Sequence, residues 1–207
     1  MKKLLYIFIF ICGSSSIRAQ QMALHSQFML NDYVVNPAIS GTKGYTPLIL
    51  SVRRQWMGIK EAPVTQFLSG HGYLGYNIGM GAMVFNEASG PTRRTGVAVS
   101  GAYHFLLKTK NTEQHTISLG LSGMLTQHYL DKEKLITYLP DDPTIIAAYN
   151  NQMVPDVNFG AYYHNENKYY FGVSAFNLIQ TKKDLYNIPN DIKNNFVRNY
   201  YIIGGGD

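Results

Sequence analysis

The sequence predicts an all-β fold: an antiparallel, up-and-down transmembrane β-barrel with about eight strands present and the barrel incomplete. Three observations lead to this prediction. Two long neighbouring segments alternate between large apolar and small or polar residues, the links between predicted strands alternate between long and short, and an export signal precedes them all. Together they favour strands that face lipid on one side.

The clearest strand pattern lies between residues 95 and 129. Large apolar residues recur two or four positions apart: Val97, Val99, Tyr103 and Phe105 in the first strand, and Ile117, Leu119, Leu121 and Leu125 in the second. Successive side chains of a strand point to opposite faces, so each strand has one apolar face and one face of small or polar groups. A soluble sandwich shows the same alternation, and the hairpin alone does not separate the two.

The N-terminus predicts export. Lys2 and Lys3 precede an unbroken apolar run over residues 4–11, and the small residue Ala19 ends the segment. This is the pattern of a cleavable signal peptide over residues 1–19, and the run is too short for a membrane-spanning helix. A lipoprotein anchored at Cys12 is the alternative. We expect the mature protein in the outer membrane.

Charge and composition exclude some classes of function. The chain has 18 Lys and Arg against 13 Asp and Glu. Because Lys2, Lys3 and Arg18 leave with the signal peptide, the mature chain keeps 15 against 13, and this balance does not indicate nucleic acid binding. Cys12 is the only cysteine, so no disulfide is expected. The 16 tyrosines suit a membrane–water interface.

The remaining chain divides into two parts. Residues 20–45 are predicted to form a periplasmic or plug segment, and residues 46–207 the outer-membrane barrel, truncated at the C-terminus. The predicted strands are 47–55, 65–74, 77–85, 95–106, 114–129, 156–164, 169–176 and 198–204. The side chains of the predicted inward face are unusually small; they belong to Gly79, Gly81, Ala98, Ser100, Ala102, Gly120 and Ser122. Either missing strands that widen the ring or residues 22–39 folded inside would fill this space.

The predicted links separate by length. The long ones cover residues 56–64, 86–94, 130–155 and 177–197, and the short ones 75–76, 107–113 and 165–168. In an up-and-down sheet, alternate links lie at opposite ends. One end therefore carries long loops and the other tight turns, which is typical of outer-membrane barrels.

Catalytic and metal chemistry is not predicted. A lipid hydrolase is an alternative, because two serine–histidine pairs each share a strand face: Ser100 with His104, and Ser122 with His128 near Asp131. A catalytic triad is recognised by its geometry, which the sequence does not give. The six histidines lack paired ligand spacing. We predict no enzyme activity, no metal and no cofactor.

Several short motifs, taken in order, resemble the PorP/SprF family of outer-membrane proteins of the Bacteroidetes type IX secretion system. They cover residues 36–41, 54–58, 62–66 with His71, 79–81 with Asn86, 90–91, 142–143, 155–160, 172–178 and 198–200. Members of the family are usually longer, so the chain resembles their N-terminal portion.

The resemblance implies a non-enzymatic component of the type IX secretion and gliding motility apparatus, a scaffold or partner for secretion and surface display of adhesins. The implied partners are outer-membrane lipids, periplasmic lipoprotein ring components, and large surface adhesins or secreted substrates. The matched motifs supply candidate partner-contact residues: Trp56, Gln66, His71, Asn86, Pro91, Asp142 and Pro155. Trp56, the only tryptophan, is also interpreted as an interfacial anchor. The alternatives are a passive porin or uptake barrel and a soluble secreted β-sandwich adhesin.

Overall fold

The fold is a single antiparallel sheet. The computed structural model describes residues 29–108, 114–134, 151–165, 168–179 and 198–206. Its strands are β1 (Leu48–Arg54), β2 (Val64–Gly75), β3 (Ile78–Ser89), β4 (Thr92–Lys108), β5 (Gln114–Leu130), β6 (Asn151–Asn165), β7 (Tyr169–Phe176) and β8 (Asn199–Gly206). They lie side by side in chain order, and the sheet curls into a half-barrel whose edges, within these ranges, are β1 and β8. The predicted all-β, up-and-down fold is confirmed.

Large apolar side chains cover the outside of the sheet instead of forming a core. Val97, Val99, Leu119 and Leu121 are between 41% and 59% exposed, while the small or polar residues between them are buried. A sandwich would bury the apolar face under a second sheet, and no element that the structure describes covers this one. The sandwich alternative is therefore wrong. Over the described ranges, no helix is long and apolar enough to cross a bilayer.

Strand β3 and strand β4 are longer than the sequence predicted. They pair in register up to Ser89 and Thr92, so the long link expected over residues 86–94 is instead a turn of two residues. The reason is that polar residues continue the ladder beyond the apolar stripe, as in the pair Asn86 and Thr95. The links β1–β2, β5–β6 and β7–β8 remain long; they define the long-loop end, and the opposite edge is the short-turn end.

Strand β6 begins at Asn151, five residues before the predicted start at Asp156. The sequence places Pro155 in the preceding link because proline cannot donate to a β ladder. In the structure Pro155 pairs with Leu125 of β5, whereas β6 pairs with β7 only from Phe159 onward. At this level β6 has one strand neighbour, and such an edge tolerates proline.

A short segment before β1 lies against the buried, concave face of the sheet. This inner segment, residues 31–41, contains two 3₁₀ helices, Asp32–Val35 and Pro37–Ile39. All of its residues are buried except Asp32, which is half-buried. Asn36 caps the second helix by accepting a hydrogen bond from the Ala38 N–H at 3.0 Å. The second helix contacts β4, β5 and β6.

Candidate functional site

The inner segment fits against the sheet because residues beneath it have no side chain. Five glycines would collide with it if they carried a Cβ: Gly79, Gly81, Gly120, Gly160 and Gly172. The added atom on Gly120 would lie 2.6 Å from Ala38 Cα, and the one on Gly160 would overlap the side-chain oxygen of Asn36. Part of the small inward face recognised in the sequence is therefore occupied by the chain's own residues 31–41.

Hydrogen bonds attach the inner segment to β6 and β7. The Asn36 side-chain nitrogen donates to the backbone carbonyl of Ala161 at 3.0 Å and to that of Val173 at 3.3 Å. The Ser174 hydroxyl donates to the Val35 carbonyl at 2.6 Å. Since Asn36 is 1% exposed, these bonds form away from bulk water, where an unsatisfied amide is costly.

A second group of hydrogen bonds attaches the segment to β2 and β4. Ser100 Oγ lies 2.9 Å from the Tyr33 hydroxyl and 2.8 Å from the Ser40 hydroxyl. The Gly41 N–H donates to His71 Nδ1 at 3.1 Å. Burial raises the pKa of Tyr33, so its hydroxyl remains protonated. The inner segment is thus fixed at both sides of the half-barrel.

The inner segment lies in the half of the sheet nearer the short-turn end. Gly79 and Gly120, which it covers, lie in the first halves of β3 and β5, and Gly160 lies in the second half of β6. The long-loop half of the inward face carries charge instead. There the Arg94 guanidinium is 3.9 Å from the Glu87 carboxylate.

On the outer face, a single row of polar residues ends the apolar surface. This polar row runs in register across β2, β3, β4 and β5 and consists of Gln66, Asn86, Thr95 and Gln127. Thr95 Oγ1 donates to Asn86 Oδ1 at 3.0 Å, and Asn86 Nδ2 donates to Gln66 Oε1 at 3.4 Å. The next row toward the short-turn end is wholly apolar: Leu68, Val84, Val97 and Leu125.

The apolar surface on β5 extends from Leu125 to Ile117. At a rise of about 3.4 Å per residue this is about 27 Å along the strand, or about 21 Å of thickness at a strand tilt of about 40°. The apolar band of membrane barrels is about 25 Å tall. At the short-turn end it is followed by His115, whose Nδ1 lies 2.8 Å from the Tyr163 hydroxyl. On β5 the apolar residues therefore lie between two polar ones, Gln127 toward the long-loop end and His115 toward the short-turn end.

Comparison with known families decides the class of this protein. The model of the family described as "Type IX secretion system membrane protein PorP/SprF" matches residues 17–207. The chain belongs to this family. The match includes the inner segment and all eight strands, and membership makes the protein a membrane component of the type IX secretion system. No curated protein and no solved structure matches the chain.

The candidate partner-contact residues of this PorP/SprF protein fall into different environments. Trp56 lies in the β1–β2 link, 68% exposed and with a φ of 52°. Gln66 and Asn86 belong to the polar row on the outer face. Asp142 lies outside the described residues.

The other candidates contact the chain itself or point outward. His71 is buried, with its ring centroid 5.1 Å from that of Tyr33 in the inner segment. The Pro91 carbonyl, in the β3–β4 turn, accepts the Asp131 N–H at 2.8 Å. Pro155 is exposed on the outer face of β6. The structure therefore gathers Gln66 and Asn86 but does not bring all seven candidates together.

The serine–histidine pairs suggested by the sequence do not form. Ser100 and His104 are four residues apart on β4, which is about 13 Å in an extended strand, and Ser122 and His128 are farther apart still. Instead, His104 Nδ1 lies 2.7 Å from Ser118 Oγ across the β4–β5 pair. Ser118 is 0% exposed, so this pair offers no accessible nucleophile. Among the described residues no group of three or more His, Cys, Asp or Glu is placed to hold a metal ion.

Sequence reasoning overlooked Asn36 and Ser40 as individual residues, although residues 36–41 are one of the PorP/SprF motifs. A buried asparagine that bonds to two strands has no local signature, because its partners are more than 100 positions away. The available signal was the set of small inward residues, which predicts that something occupies the face.

Proposed function

We propose that this protein is a non-enzymatic outer-membrane component of the type IX secretion and gliding apparatus. In this role it is a scaffold or partner for the secretion and surface display of adhesins. The observation that carries the proposal is the reversed burial of the sheet, with large apolar residues outside and small or polar ones inside. A signal peptide over residues 1–19 would deliver such a chain to the outer membrane.

The inner segment supports a scaffold over a passive porin. A porin needs an open, water-filled lumen, whereas residues 31–41 occupy the concave face in the short-turn half. Hydrogen bonds hold the segment there. Asn36 of the segment bonds to the β6 backbone, and Ser174, Ser100 and His71 of the sheet bond to the segment. In the proposed function it is a plug that stiffens the half-barrel.

The direction of the chain supports an orientation. Residues exported ahead of β1 begin on the periplasmic side. Strand β1 starts toward the short-turn end, since its last residue, Arg54, pairs with Val64, the first residue of β2. The short turns would then face periplasmic lipoprotein ring components, and the long links would face surface adhesins or secreted substrates. Trp56, exposed at the long-loop end, is a candidate contact for the latter.

The test combines localisation with secretion. The proposal expects the protein in the outer-membrane fraction and expects its gene deletion to stop surface display of adhesins, with recovery on re-expression. A photo-crosslinking amino acid at Trp56 should capture surface or secreted proteins. The same group at Tyr76, the exposed tip of the β2–β3 turn, should capture periplasmic ones and is the matched control.

A porin would behave differently. Ion conductance by purified protein in planar bilayers, together with intact adhesin display in the deletion strain, would contradict the scaffold role. Recovery of the protein from the culture supernatant would contradict its membrane location.

A further inference from the structure

A cleft of about 500 Å³ opens on the outer face of the sheet beside the polar row. It lies where β3, β4 and β5 reach the long-loop end, and its polar lining includes Thr92, Arg93, Thr95, Gln127, Tyr129 and Lys134. Arg93 and Tyr129 pair in register on the row just beyond the polar row, and both are exposed. The cleft therefore begins where the apolar band stops.

The cleft contains an arginine without a partner among the residues that the structure describes. The Arg93 guanidinium makes no hydrogen bond, ion pair or ring contact with the rest of the described residues. Arg54 lies on the same outer row, through the register pairs Arg54–Val64, Val64–Ala88 and Ala88–Arg93. Three strand spacings of about 4.8 Å place the two arginines about 14 Å apart. Both basic groups thus lie on the register row that follows the polar row toward the long-loop end.

The acidic group of the cleft is already engaged. The Asp131 carboxylate lies 3.9 Å from Lys134 Nζ, which also contacts the Glu61 carboxylate at 3.4 Å. The Asp131 N–H is used by the Pro91 carbonyl. Arg93 is consequently the group left to meet an anion, and a guanidinium binds phosphate through two parallel hydrogen bonds.

We propose that this cleft binds the phosphate of a membrane lipid headgroup. The inference rests on the proposed placement of the apolar band in a bilayer. The source is a lipid because Thr95 and Gln127, which line the cleft, are next to the apolar row that contains Val97 and Leu125, over which acyl chains would run. Arg93 pairs with the phosphate, and the hydroxyl and amide groups of Thr95, Gln127 and Tyr129 supply further hydrogen bonds.

The test uses the full chain folded into phosphatidylcholine vesicles. Trp56→Phe removes the single tryptophan, and Val97→Trp places a reporter just below the cleft. Quenching by lipids with brominated acyl chains then reports which lipid lies there. Brominated phosphatidic acid should be preferred over brominated phosphatidylcholine by about fivefold, the effect expected of one basic side chain at a charged membrane surface.

Three variants test whether Arg93 causes the lipid preference. Arg93→Gln should abolish the preference, and Arg93→Lys should keep part of it, since the charge remains without the bidentate geometry. Lys60→Gln removes the same charge from an exposed position in the β1–β2 link and should leave the preference unchanged. A reporter at Val173→Trp, on the outer face of β7, shows in each background that the protein is inserted.

Several outcomes would overturn the inference. Equal quenching by both lipids at Val97→Trp, or an equal loss of preference in Lys60→Gln, would contradict an arginine site that selects the more highly charged phosphate of phosphatidic acid. Displacement of the brominated lipid by inorganic phosphate would assign the cleft to a soluble anion instead. Absence of quenching at both Val97→Trp and Val173→Trp would contradict the bilayer placement itself and with it the proposed function.

Discussion

Gly160 of β6 leaves no space for a methyl group beneath Asn36. A Cβ on Gly160 would overlap the Asn36 side-chain oxygen, and the nitrogen of the same amide donates to the carbonyl of the adjacent Ala161 at 3.0 Å. The side-chain amide of Asn36, which precedes β1, thus packs directly against Gly160, which lies far along the chain in β6. Steric fit and hydrogen bonding act together at this point, and each can be tested separately.

The steric part predicts that Gly160→Val destabilises the folded protein. Forcing a side chain into a filled site typically costs about 1–3 kcal/mol, and here the inner segment would have to move. The measurement is urea unfolding of the full chain folded in vesicles. Gly123→Val is the matched control, because Gly123 points outward with nothing within 4 Å of an added Cβ. Equal unfolding midpoints for the two variants would contradict the fit.

The hydrogen-bonding part predicts a loss of stability in Asn36→Ala. The substitution removes donors to Ala161 and Val173 and the cap of Ala38, and leaving buried polar groups unpaired costs about 1–3 kcal/mol. Unfolding in urea is again the readout. Asn86→Ala, on the half-exposed polar row, should stay within about 0.5 kcal/mol of the parent protein. A larger effect at Asn86 than at Asn36 would mean that the inner segment is not anchored as described.

The apolar band predicts a dependence on depth for charged substitutions. Leu121→Arg, in the middle of the band on β5, should cost about 2–4 kcal/mol in a bilayer, whereas Gln127→Arg, on the polar row, should cost about 0–1 kcal/mol. Both positions are on the same strand and face, so strand propensity and charge are matched. The yield of folded protein on insertion into vesicles measures the difference. Equal yields would place the lipid boundary elsewhere.

Tyr33 predicts a specific loss of stability at high pH. Burial raises its pKa above the usual 10.0 in the folded state, so the folded protein holds this proton more tightly than the unfolded chain. The resulting stability is complete below about pH 10 and decreases as the pH rises toward the folded-state pKa. The free energy of unfolding of the parent protein should therefore fall more steeply above pH 10 than that of Tyr33→Phe. Parallel pH profiles would show that Tyr33 is not buried.

Residues of the outer and inner faces could be predicted from the sequence because strand alternation is local. The period of two in Val97, Val99, Leu119 and Leu121 assigns each side chain to a face without knowledge of any partner strand. The small residues between them also indicated a face against which backbone packs closely. The end of β3 was predicted too early, because its pairing with β4 continues through polar residues after the apolar stripe stops.

Register and long-range contacts were decided only by the tertiary structure. The same residues could have paired one step apart, yet only the observed register aligns Gln66, Asn86, Thr95 and Gln127 in one row and sets His104 against Ser118. Asn36 meets Ala161 at a separation of 125 positions. The sequence by itself determined which faces are apolar and which are small, because that information repeats within each strand. Which groups meet across strands depended on folding, because a hydrogen bond forms only where distant backbones are brought within about 3 Å.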